Sequence, residues 1–220
     1  MVKIKRTFPA PKSLALEYKK VNGSYSEPDV VAQLLHDFHE KCYICELKEL
    51  QDPQVEHLLP HKNGKYKERK FDWENLFLSC GHCNGVKNKE KYDEVILDCC
   101  KRDPEEVIEF RLEENNVCIQ SKDSSDLKSV RTAELVQEVF NVCDTGMRIY
   151  KSKKRLEKLQ EEMNVLYTKL DSYKKQPNSK VTLRTLKALL KRESQFAAFK
   201  RNYVREHLDK FPKLKEYVED

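Results

Sequence analysis

Glycine is scarce: the 220-residue chain holds 5, against 36% charged residues, a balance that favours long solvated helices over a sheet-rich core. Long apolar runs are missing as well. No window approaches the roughly 20 apolar residues of a membrane span. The opening Met1-Val-Lys-Ile-Lys-Arg6 lacks the apolar core of a secretory signal, so no membrane association is expected and the reading is cytoplasmic. Tryptophan occurs once, at Trp73, and is expected in the core. Eight cysteines invite a disulfide framework, yet four of them fall into two tight pairs. The others, Cys99, Cys100, Cys118 and Cys143, have no ligand spacing and read as reduced, partly buried thiols. The length leaves room for one compact module and a second helical region.

The two pairs are Cys42-Tyr-Ile-Cys45 and Cys80-Gly-His-Cys83. Two residues between paired cysteines let one tight turn present both sulfurs to the same ion, and four thiolates suit a tetrahedral structural Zn²⁺. A zinc clamp explains folding of the enclosed segment. It does not explain why that segment carries Glu56-His57 and Trp73-Glu-Asn-Leu76, with Asn84 and Lys87 just after the second pair.

This order, Cys-x-x-Cys, Glu-His, Asn-Leu, Cys-x-x-Cys-Asn and a lysine, resembles the HNH endonuclease family over residues 42 to 87. The resemblance implies an α+β chain with a zinc-stabilised ββα-metal module, in which a two-stranded ribbon carries the histidine and the following helix supplies a metal ligand. By position it implies His57 as general base, Glu56 and Asn84 as ligands of a catalytic divalent ion, and Asn75 as the brace that orients the base. Asn84 stands where many members have histidine, a departure that bears on metal preference. A narrower likeness runs from about residue 3 to about residue 111, on Ile4-Lys-Arg6, Trp73-Glu-Asn-Leu76 and the pattern from Leu97-Asp98 to Asp103-Pro-Glu105. It is to the PtuB proteins, the HNH nuclease subunits of retron and Septu anti-phage systems, and it implies an ATPase partner of the PtuA type.

The residue types suit phosphodiester hydrolysis. Histidine titrates near neutral pH and can take a proton from water. Oxygen donors such as Glu56 and the Asn84 amide favour a hard cation, so Mg²⁺ or Mn²⁺ is expected there. Lys87, three residues after Asn84, falls on the same helical face and can reach a phosphate. The loop from Lys62 to Lys70 offers Lys62, Lys65, Tyr66, Lys67, Arg69 and Lys70 as nucleic-acid contacts, with DNA the first candidate; a solvated charge run is the alternative. His61 follows a proline and reads as a surface or substrate-facing residue; His36 and His39 have no carboxylate partner in sequence and read as packed or solvated. Two rival readings stand beside the DNA endonuclease: an RNA or tRNA endonuclease, and an inactive zinc-dependent binding or adaptor module.

Two regions are expected. Residues 1 to 146 hold the nuclease module, core motif 42 to 91, with an extended basic arm at residues 1 to 12 and a helix from Glu27-Pro28-Asp29. Short strands are expected at 54 to 60 and 77 to 78, and a metal-bearing helix from Cys83 to Tyr92. An acidic wrapping segment follows from Tyr92 to Asp144, with fourteen Asp and Glu against six Lys and Arg. It should contain short extended pieces at 95 to 98, 103 to 110 and 116 to 119, then a helix from Thr132 to Val142. Residues 147 to 220 hold twenty basic and ten acidic residues. Leu156, Leu159, Met163, Leu166, Leu170 and Tyr173 recur at steps of three and four, a heptad seam that predicts a long helix. That seam either folds back or pairs with another chain; self-association through residues 147 to 175, or assembly with a partner, is the expected use, while the region's excess positive charge would also suit nucleic-acid phosphates. Removal of residues 147 to 220 is expected to leave the module folded.

Overall fold

The computed structural model describes residues 1–141 and 145–219. Two helices open the chain, α1 (Lys12–Tyr18) and α2 (Pro28–Asp37). Pro28 sits where a helix start needs no N–H, and Val30 and Leu34 turn one apolar face of α2 inward. Next, β1 (Pro53–His57) pairs antiparallel with β2 (Leu76–Cys80), placing Val55 opposite Leu78 and His57 opposite Leu76. The connection between them carries the short α3 (Lys67–Phe71). Directly from β2 springs α4 (Gly81–Lys87), so the motif region has the order strand, strand, helix. Trp73 is buried, its indole N–H donating to the Thr7 carbonyl at 3.1 Å.

A second two-stranded sheet follows. Past α5 (Pro104–Val107), β3 (Ile108–Glu113) forms a hairpin with β4 (Asn116–Ser121), Phe110 opposite Ile119. Against it packs α6 (Leu127–Phe140), whose first-turn amides of Lys128 and Ser129 are capped by Asp126. Three α-helices follow, α7 (Gly146–Lys175), α8 (Lys180–Leu190) and α9 (Ala197–Glu206), and then a 3₁₀ helix over Pro212–Tyr217. The molecule is α+β and mainly helical, with two small sheets. No helix among the described residues is long and apolar enough to cross a membrane.

Several expectations need correction. Residues 1 to 4 are extended, but Met1, Val2 and Ile4 are buried, and the Ile4 amide donates to the Cys99 carbonyl at 3.0 Å. The stretch 95 to 98 is not a strand: Glu94 takes a positive φ of 60°, and the Leu97 amide bonds to Thr132 Oγ1 at 2.8 Å instead of to a neighbouring strand. The helix expected to bear a metal ligand spans 81 to 87, not 83 to 92, and a separate 3₁₀ turn covers 90 to 92. Helix α6 starts at Leu127, five residues before the expected Thr132; Val142, its expected end, lies outside the described residues, as does Cys143.

The heptad seam is covered from within the chain. Leu159, Met163, Leu166, Leu170 and Tyr173 are buried, and α7 packs against α8 and α9. A role for those positions in self-association or in holding a partner therefore does not apply, because their apolar surface is already occupied. The core is continuous across residue 146: Phe199 of α9 meets Phe110 of β3 and Phe140 of α6 at ring distances of 5.8 and 5.5 Å. The buried Arg201 pairs with the buried Glu105 at 3.0 Å. Deleting residues 147 to 220 would strip this core, so the remaining module is not expected to survive such a deletion.

Candidate functional site

The two cysteine knuckles meet. Cys42 and Cys45 lie between α2 and β1; Cys80 ends β2 and Cys83 sits in the first turn of α4. The Tyr43 amide donates to the Leu78 carbonyl at 3.0 Å, fastening the first knuckle to the strand that delivers the second. All four sulfurs are buried and lie within 4.8 Å of one another. With zinc–sulfur bonds of about 2.3 Å, tetrahedral ligands sit about 3.8 Å apart, so the donor set fits a metal ion such as zinc. Four thiolates around Zn²⁺ leave a net negative cluster. Arg155 of α7 answers it, its Nη2 donating to Cys80 Sγ at 2.9 Å. His82, inside the second knuckle, is directed elsewhere, to the Val139 carbonyl at 3.1 Å. Among the described residues no other group of three or more His, Cys, Asp or Glu side chains converges in this way, and neither His36 nor His39 takes part.

Beside this cluster, β1, α4 and the loop after β1 enclose a cavity of about 560 Å³ lined by Glu56, His57, His61, Asn84, Lys87 and Asp93 among others. His57, at the end of β1, donates its Nε2–H to the Lys70 carbonyl at 3.1 Å. A carbonyl only accepts, so the proton belongs on Nε2 and Nδ1 keeps its lone pair. The ring is walled by Tyr25 and His61 at 4.6 and 4.7 Å. Burial pushes the His57 pKa down to about 4, against the pull of the Lys70 carbonyl, so the imidazole is neutral at physiological pH. His61 is also lowered, by burial first and then by Lys70.

Glu56 is buried one residue earlier. Lys87 Nζ lies 2.6 Å from one carboxylate oxygen, and the Tyr43 hydroxyl donates to the other at 2.8 Å. Burial pushes the Glu56 carboxyl above its ordinary range, while Lys87 and Tyr43 pull it back. Lys87 also donates to the His57 carbonyl at 2.9 Å. Asn75 bridges the loop: its Oδ1 accepts from the Leu59 amide at 2.7 Å, and its Nδ2 donates to the carbonyls of Leu59 and Arg69 at 2.9 Å each. Asn84, on the first turn of α4, donates its amide N–H to Gln54 Oε1 at 2.6 Å. Glu56, His57, Asn84 and Lys87 thus line one cavity, and Asn75 stands behind it.

Much of the basic loop is matched internally. Lys62 pairs with Asp93, and Arg69 pairs with Glu94 at 2.6 Å while stacking over Tyr66. Lys70 donates to the Gly23 carbonyl at 2.9 Å, Lys65 lies over Tyr66, and Lys67 lies over Tyr18. Three site residues escaped the sequence reading. Tyr43 lies inside the first knuckle and was there to be found; Tyr25 and Arg155 come from distant segments with no local signal.

No protein-family model matches the chain. Comparison with curated proteins finds the Septu protein PtuB of Bacillus thuringiensis, 29% identical over 119 residues, a stretch covering 52% of this chain and 43% of that protein. The chain therefore spans less than half the length of the relative it matches, and the likeness is distant.

Proposed function

We propose that the chain is a divalent-metal-dependent endonuclease of the HNH type that hydrolyses phosphodiester bonds, DNA being the first substrate to test. The observation that carries this reading is His57: neutral, with Nε2 committed to the Lys70 carbonyl, and lining a cavity shared with the oxygen donors Glu56 and Asn84. In this role Nδ1 takes a proton from the attacking water. Asn75 holds the loop that carries the Lys70 carbonyl and so keeps the ring oriented. Glu56 and Asn84 would hold Mg²⁺ or Mn²⁺, which when bound polarises a phosphoryl oxygen and stabilises the leaving oxygen. The four cysteines would hold zinc in a structural role.

The likeness to a Septu PtuB supports a place in anti-phage defence beside a PtuA-type ATPase. One observation favours the inactive binding module instead: both Glu56 oxygens are already engaged. Incubating the purified chain, alone and with an ATPase encoded beside it, with DNA and RNA in Mg²⁺ or Mn²⁺ separates these readings. Metal-dependent products are expected, and their absence under every condition favours the binding module.

A further inference from the structure

Lys87 ends α4, and its buried ammonium is held from two sides, by Glu56 Oε1 at 2.6 Å and by the His57 carbonyl at 2.9 Å. The second Glu56 oxygen is closed off by Tyr43 at 2.8 Å. A cation of this protein's own therefore fills the place beside the carboxylate that a divalent ion would take. The side chains of Lys87 and Glu56 are 6% and 5% exposed, so little water screens the pair. In front of it lies the cavity of about 560 Å³, room enough for the ammonium to swing outward. Because the helix stops at Lys87, with Asn88 out of helical geometry, that swing requires no unwinding.

We propose that Lys87 is a latch on the cation site: its ammonium and a divalent ion compete for Glu56, and a nucleic-acid phosphate, by drawing Lys87 outward, couples substrate binding to metal loading. The proposal rests on the nuclease reading of this site. Its physical basis is that an ammonium and a divalent cation repel at one carboxylate, whereas a phosphate offers the flexible lysine an equivalent anionic partner. Coupling of this kind is reciprocal, so the factor by which nucleic acid tightens the ion equals the factor by which the ion tightens nucleic acid. Lys87 acts here as a positioning residue, and Tyr43 keeps Glu56 aimed during the exchange.

The test is Mn²⁺ binding by electron paramagnetic resonance to the full chain with its cysteine site filled by zinc, which Mn²⁺ does not displace from thiolates. Wild type and Lys87→Met are titrated alone and with short phosphorothioate DNA and RNA. The latch predicts that Lys87→Met binds Mn²⁺ about tenfold tighter without nucleic acid, and that nucleic acid tightens Mn²⁺ on wild type by a similar factor but not on the variant. Equal affinity in the two proteins, or no effect of either nucleic acid on wild type, overturns the latch and leaves the divalent-metal reading standing. Mn²⁺ binding by neither protein overturns both. Should Lys87→Met fail to fold, the wild-type titrations with and without nucleic acid decide alone.

Discussion

Glu138 accepts hydrogen bonds from Lys89, from Lys91 at 2.8 Å and from the Tyr92 hydroxyl at 2.7 Å, tying α6 to the turn after α4. Burial pushes its carboxyl up, but these donors outweigh burial and hold it at about 2, below the ordinary 4.5. A carboxylate lowered in the folded state stabilises the fold above its ordinary pKa and loses that contribution as pH falls through the folded value. Wild type should therefore exceed Glu138→Gln in urea stability at pH 7, with the gap closing as pH falls from 4.5 to about 2; a gap that stays constant with pH contradicts the ion pairing. At this scale the sequence was informative wherever a motif fixes the spacing. His57 and Asn75 were named from their neighbours, and each has a defined set of partners here. The partners were not legible: Tyr25 and Arg155 reach the site from 32 and 72 or more residues away through tertiary packing, which no local pattern encodes.

The strand pair and α4 are expected to depend on the cysteine cluster, because β1 and β2 are five residues each and too short to persist alone. Cys83→Ser should lower the bound zinc below one per chain and broaden or abolish the thermal transition, since such sites contribute folding free energy directly. A folded serine variant without zinc would remove the metal from the structure. Helix α7 supplies a second test. Its seam was legible as a heptad pattern, but periodicity states only that a face is apolar, not which surface covers it. With Leu166 fully buried against the chain's own helices, Leu166→Ala should cost about 2–5 kcal/mol and leave the oligomeric state unchanged. Loss of association without loss of stability would return the seam to an intermolecular role. The strand expected at 95 to 98 failed for a related reason, since its apolar residues are buried by a bent segment whose Leu97 amide donates a hydrogen bond to Thr132.

Across the whole molecule, the acidic middle and the basic C-terminal region answer each other. Arg201 lies buried between Glu105, at 3.0 Å, and the carbonyls of Leu190, Tyr217 and Val218; Arg205 adds a bond to Glu105 at 2.8 Å, and Arg192 reaches Asp103 at 2.7 Å. Opposite net charges in two segments, visible in the sequence, thus correspond in part to internal pairing, and the basic tail has less free charge for phosphates than its count suggests. Arg201→Met should cost about 3–5 kcal/mol, because it leaves a buried carboxylate with weaker compensation; a cost near that of a surface ion pair, below about 1 kcal/mol, would contradict the packing across residue 146. The proposed activity turns on His57. The most direct measurement compares wild type with His57→Ala on DNA and RNA in Mg²⁺ or Mn²⁺, with zinc content and thermal stability followed in parallel. With His57 as the base, wild type should show metal-dependent strand cleavage, and the variant a rate lower by about 10² to 10⁴ at unchanged zinc content. Cleavage by the variant within about tenfold of wild type, or none by wild type on either nucleic acid, would contradict it.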